Sequence, residues 1–264
     1  MISINGREHG RRIPSGKKNN RHIGHNRCND TGVFTGGEPF LGNDLFELIE
    51  EICAHNDMFT FSILTNGTLF TPENTKMLKT FSPLYIQLSV EGNRAVHDSI
   101  RGRGNYQACV SAIKMLKKND IPISVSFTAH QKNVSQFKDV VRACTRLKVS
   151  RIWSDRFVPL RTDPGQSDLV LGKERTRAFF EIMYREKRNS NRSWFKKSQI
   201  SMHRALQFLA GGGQPYSCKA GDSLITVMPN LRQPVQGGIK MPLLCGQWGS
   251  VYHRSRLLCS GSSA

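Results

Sequence analysis

The 264-residue sequence has no apolar run long enough to cross a bilayer, and its basic, polar beginning lacks the apolar middle of a signal peptide. A cytoplasmic protein is expected, with no membrane partner. There is no CxxC pair, and the seven cysteines (Cys28, Cys53, Cys109, Cys144, Cys218, Cys245 and Cys259) are odd in number and scattered, which excludes a disulfide framework. Cys53, Cys109 and Cys144 fall in apolar helical patterns, where a free cysteine is usually a small buried hydrophobe. Acid is scarce at both ends. Residues 1–30 hold only Glu8 and Asp30, and residues 231–264 hold no Asp or Glu at all.

With 38 Lys and Arg against 20 Asp and Glu, the formal charge is +18. Such an excess suits phosphate neutralisation. Here it gathers in the tail (Arg7, Arg11, Arg12, Lys17, Lys18, Arg21, Arg27) and over 173–204, without the interleaved aromatics of a stacking platform, so it argues only weakly for nucleic acid. Residues 1–30 have neither helical nor strand period and read as an irregular basic tail. Residues 231–264 read the same way.

Between the tails the pattern is regular. Strand signals at 31–35, 59–64, 84–90, 121–128 and 151–158 alternate with helical ones at 43–55 after an Asn43 cap, after Thr71-Pro72-Glu73, at 105–118 and at 134–147. Helical connections of that length are crossovers, so the strands form a mainly parallel α/β sheet, open or closed into a barrel. A polar loop follows, then helices at 173–188 and 200–209 and a short strand at 224–228. The division expected is 1–30 tail, 31–160 barrel, 161–230 helical linker and extension, and 231–264 tail.

The first of these strands runs into Phe34-Thr35-Gly36-Gly37-Glu38-Pro39-Phe40. Two glycines let the backbone approach a ligand with no Cβ in the way, and a carboxylate beside them can take hydrogen bonds from an ammonium group. Strand ends of this kind are where α/β enzymes bind ligands. The next strand ends in Thr65-Asn66-Gly67-Thr68, and the third in Ser89-Val90-Glu91-Gly92, followed by His97-Asp98 and Arg101. Each has a plainer reading: Asn66-Gly67 as turn chemistry, His97 and Asp98 as a helix start or cap, Arg101 as a solvated loop residue.

In this order the segments resemble the radical S-adenosylmethionine (radical SAM) family. Cys218-Lys219-Ala220-Gly221, followed by Ile225 to Asn230, resembles the start of the SPASM or twitch auxiliary-cluster extension of peptide-modifying maturases and anaerobic sulfatase-maturating enzymes. The resemblance implies a partial (β/α)6 barrel with its ligand at the carboxyl ends of the strands. It implies that Gly36, Gly37 and Glu38 hold the amino group of S-adenosylmethionine, and that Ser89 and Arg101 meet its ribose and carboxylate side. An arginine suits a carboxylate. Glu91 stands where relatives often carry Asp. Cys218 is either a remnant cluster ligand or an ordinary thiol. The activity implied is reductive cleavage of S-adenosylmethionine followed by radical modification of a peptide or protein substrate.

Such enzymes carry a CxxxCxxC loop just upstream of the glycine-rich strand, whose three thiolates hold a 4Fe-4S cluster. This sequence has only Cys28 there, with His22, His25 and Asp30 nearby. The expectation is therefore an incomplete barrel lacking its first strand, no assembled cluster, impaired catalysis, and an edge strand at 31–35 with unpaired backbone and marginal stability. Both ends lose their pattern abruptly into acid-poor, basic sequence, which is read as translation in a shifted frame. Two alternatives stand beside the impaired enzyme: a non-catalytic barrel binding S-adenosylmethionine or a peptide, and a basic nucleic-acid binder.

Overall fold

Apolar and polar residues alternate along the central strands, and the sheet sorts them to opposite faces. The structure, a computed structural model, describes residues 2–6, 30–55, 58–159, 164–192, 198–202, 205, 209 and 224–227. Its strands are β1 (Ile2–Gly6), β2 (Asp30–Phe34), β3 (Thr60–Thr65), β4 (Tyr85–Ser89), β5 (Ile123–Ala129), β6 (Arg151–Arg156), β7 (Gln199–Ser201) and β8 (Leu224–Val227). They form one sheet in the order β7-β6-β5-β4-β3-β2-β1-β8. From β2 to β7 every pairing is parallel, and β1 is antiparallel to both β2 and β8. The sheet is open, as in a partial barrel.

Helices α1 (Leu45–His55), α2 (Pro72–Phe81), α3 (Arg94–Arg101), α4 (Asn105–Lys118), α5 (Phe137–Leu147) and α6 (Lys173–Arg192) make the connections. One sheet face packs under helices: Phe34, Phe61, Ile63, Ile86, Leu88, Val125, Phe127 and Ile152 are buried there. Phe127 meets Phe137 of α5 and Phe179 of α6 with ring centroids 5.5 and 6.2 Å away. A Cβ on Gly32 would stand against the ring of Phe59.

Helix starts follow the sequence signals closely. Thr71 and Asn74 form a reciprocal capping box before α2, with Pro72 at the first helical position. α1 begins at Leu45, one residue later than the Asn43 cap suggests, and Leu48 N–H donates to the Asp44 carbonyl at 2.9 Å.

Two expectations need correction. Strand 31–35 is not an edge: β1 pairs with β2 from Ile2↔Phe34 to Gly6↔Asp30, so its backbone groups are taken on both sides. The five residues Ile2-Ser3-Ile4-Asn5-Gly6 alternate at strand period, a signal too short to stand out within a polar tail. The helix expected at 200–209 instead starts as β7, in register with Arg151–Trp153 of β6, while Ala205 and Leu209 are helical. Short apolar runs do not separate strand from helix, and here pairing decided. Among the described residues no helix is long and apolar enough to cross a membrane.

Candidate functional site

The sheet face opposite Phe127 is polar. Strand register places Gln87 beside Ser124, Ser89 beside Ser126, Ser126 beside Trp153, and Thr128 beside Asp155. Ser124 Oγ donates to Gln87 Oε1 at 3.3 Å, and the Ser126 and Ser89 hydroxyls meet at 3.4 Å. A polar sheet face with serines at the carboxyl end is suited to a ligand rather than to helix packing.

At that end of β2, Gly36 takes φ 144, a conformation open to glycine, and a Cβ on the exposed Gly37 would meet nothing within 4 Å. Glu38 caps the short 3-10 turn Pro39–Leu41. Its Oε1 accepts from Thr65 Oγ1 at 2.6 Å and from Phe40 N–H at 3.4 Å, and its Oε2 accepts from Asn66 N–H at 2.8 Å. The carboxylate is thus fixed from the β3 side, and its remaining lone pairs are available to a donor. Asn66 contributes its backbone here. Its side chain does turn chemistry, with Oδ1 accepting from Thr68 N–H at 2.8 Å and Thr68 Oγ1 at 2.7 Å.

At the end of β4, Ser89 is half-buried and Glu91 is buried at 4% exposure. Arg101 donates to Glu91 Oε1 through Nε at 3.0 Å and Nη2 at 2.6 Å. Asn133 Nδ2 donates to Glu91 Oε2 at 3.3 Å, and the Glu91 N–H donates to His97 Nδ1 at 3.2 Å. So Arg101 is not a loop residue but the last residue of α3, paired with a buried acid. His97 lies wholly inside, and desolvation first, then the Arg101 charge, push its pKa down to about 4, with Asp98 opposing. Asp98 accepts from Tyr106 N–H at 2.8 Å and Gly104 N–H at 3.1 Å, capping α4, and these backbone bonds hold its carboxyl below the usual range.

Thr65, Asn133 and the buried His130 were not singled out by sequence. Thr65 precedes a recognisable Asn-Gly turn, which was its one available signal. Asn133 and His130 follow β5, and burial lowers the His130 pKa, with Glu91 opposing. Cys28 and Cys218 lie outside the described residues. Among the described residues no group of three His, Cys, Asp or Glu side chains could hold a metal ion.

An open parallel sheet with helices on one face is the architecture of a partial α/β barrel, and its carboxyl-end rim carries a glycine-bounded carboxylate, a serine pair and a braced arginine. Comparison with known proteins gives the family. Residues 21–144 match the radical SAM superfamily. The match begins ten residues ahead of position 31. The AdoMet-dependent heme synthase of Nitratidesulfovibrio vulgaris is 30% identical over 141 residues, 53% of this chain and 38% of that protein. The mycofactocin maturase MftC of Mycolicibacterium smegmatis is 31% identical over 157 residues, 52% of this chain and 39% of its own length. The chain therefore spans under two fifths of the length of these relatives. Among solved structures, anSMEcpe with bound AdoMet and Cp18Cys peptide superimposes with a TM-score of 0.56 at 18% identity, over 64% of this chain and 49% of that one, which shows a shared fold. Over residues 21–144, then, the chain is similar to the radical SAM superfamily.

Proposed function

We propose that this chain keeps the methionine-end half of an S-adenosylmethionine site on a domain whose ancestral activity was reductive cleavage of that cofactor and radical modification of a peptide or protein. The observation that carries the reading is Glu38: a carboxylate fixed by Thr65 and Asn66 beside a glycine whose Cβ space is open. Glu38 takes the ammonium group, Gly36 and Gly37 leave room for it, Ser89 faces the ribose, and Arg101 takes the carboxylate. An acceptor for the ammonium and a donor for the carboxylate fit the zwitterionic end of the cofactor. The bound cofactor would supply the 5′-deoxyadenosyl group, and the chain's own residues bind and orient it. A peptide substrate is supported by the maturase among the relatives.

The 4Fe-4S cluster does not fit the residues present. The sequence has no CxxxCxxC, Cys28 alone precedes β2, and the described residues offer no ligand set. With no cluster to deliver an electron, catalysis in this chain is impaired or absent. Cys218 is retained as a remnant auxiliary-cluster ligand, within an extension over 161–230 that follows the barrel over 31–160. The acid-poor, basic sequence near both ends is proposed to come from a shifted reading frame. An alternative frame encoding CxxxCxxC upstream of Thr31 and a Pro-Cys turn after Asn230 supports this, and coding DNA without either sinks it.

Anaerobic reconstitution with iron, sulfide and S-adenosylmethionine tests the functional reading. Sub-stoichiometric iron without 5′-deoxyadenosine supports impairment, while a full cluster with 5′-deoxyadenosine formation overturns it. The absent ligand set equally favours a non-catalytic binding barrel, which differs by predicting a peptide or cofactor complex with no turnover at all.

A further inference from the structure

Glu91 is the most enclosed acid of the rim, and a buried carboxylate is retained only when its charge is met by several donors. Those donors come from two places in the fold, and a third side chain fixes the backbone beside them. Arg101 at the end of α3 puts both Nε and Nη2 on Oε1, Asn133 from the loop after β5 holds Oε2, and His97 on the first turns of α3 accepts the Glu91 backbone N–H. Gly92, at φ 152, carries the chain directly from Glu91 towards α3, and a Cβ there would stand 3.1 Å from Gln136 and Val96. The carboxylate is thus set by the fold before any ligand arrives.

The arginine is set by the carboxylate. Two of its nitrogens are committed to one oxygen, which fixes the plane of the guanidinium, and the side chain is still 33% exposed. Among the described residues Nη1 makes no hydrogen bond, so this nitrogen keeps its donors free. An arginine left to solvent would sample many rotamers and lose that freedom on binding. Charge balance points the same way. Glu38, Glu91 and Arg101 together carry one net negative charge, and S-adenosylmethionine, with a sulfonium, an ammonium and a carboxylate, carries one net positive charge.

We propose that Glu91 is a positioning residue that holds Arg101, with Asn133 as its second anchor, so that the guanidinium receives the carboxylate of an amino-acid-bearing nucleoside ligand. This rests on the reading of Arg101 as a carboxylate ligand. The effect is confined to the aminocarboxypropyl end of the ligand.

Calorimetric titration with S-adenosylmethionine and with 5′-methylthioadenosine, which lacks that end, tests it on the full chain. Glu91→Gln weakens S-adenosylmethionine about tenfold and leaves methylthioadenosine within about twofold, and Glu91→Asp restores most of the loss. Asn133→Ala gives a smaller loss in the same direction and covers the case in which Glu91→Gln fails to fold. Equal weakening of both ligands in the folded variants means a merely structural acid and overturns the proposal. Unchanged S-adenosylmethionine affinity in Arg101→Ala overturns the underlying reading instead. Loss in Arg101→Ala with none in Glu91→Gln and Asn133→Ala overturns only the role of Glu91.

Discussion

The Thr65 hydroxyl donates to Glu38 Oε1 at 2.6 Å and joins the carboxyl ends of β2 and β3 across 27 residues of sequence. Thr65 Oγ1 also accepts from Gly67 N–H at 3.0 Å, so one side chain orders both the carboxylate and the turn that faces it. Thr65→Val keeps the shape and removes both bonds. It is expected to cost roughly 1.5–3 kcal/mol in denaturant unfolding, the range for a hydrogen bond to a charged group, while Thr65→Ser keeps most of the stability. An unchanged midpoint for Thr65→Val contradicts this.

Two glycines separate folding from binding. Gly67 has φ 80, and a Cβ would stand 2.6 Å from Leu88 Cδ2 and 3.4 Å from the Cys109 backbone. Gly67→Ala is expected to destabilise by about 2 kcal/mol through strain and overpacking. Gly37 has open space at its Cβ position. Gly37→Ala is expected to fold within about 0.5 kcal/mol of the parent and to bind S-adenosylmethionine less tightly, as thermal melts and titration would show.

His97 makes stability depend on acid. Its folded pKa is about 4 against an ordinary 6.5, so between these values the unfolded chain binds the extra proton. Stability is fully present above about pH 6.5, falls as pH drops towards 4, and the loss approaches roughly 3 kcal/mol. Protonation also removes the Nδ1 acceptor of the Glu91 N–H. Unfolding free energies measured from pH 7 to 4.5 should lose this slope in His97→Gln, and a slope that persists unchanged assigns it to other groups.

Burial pushes the Cys109 thiol up to about 12 and raises that of Cys144 as well, while Cys53, whose thiol burial also raises, is only half-buried. The thiolate is the reactive form. Site-resolved alkylation at pH 8 should therefore modify Cys53 well before Cys109 and Cys144, which react only on unfolding. Early modification of Cys109 contradicts the packing of α4 against Ser89.

Much of the domain was legible because its signals are local. The Thr71-Pro72 start, the apolar face of α4 and the alternation along β5 each fit within a dozen residues, and the order of the rim segments carried the family. What was not legible depends on pairing at a distance. β1 could be recognised only against β2, β7 only against β6, and the hold of Thr65 on Glu38 or Asn133 on Glu91 only once strands 27 to 42 residues apart stood side by side. Arg101 read as a possible surface residue because its partner is a carboxylate buried ten positions earlier.

The central claim is that the rim around Glu38 grips the methionine end of S-adenosylmethionine. Calorimetric titration of the full chain and of Glu38→Ala tests it most directly. Saturable binding by the parent, weakened at least about tenfold in a folded Glu38→Ala, is the predicted result. Binding of equal strength in both proteins, or none by the parent at millimolar ligand, would contradict it.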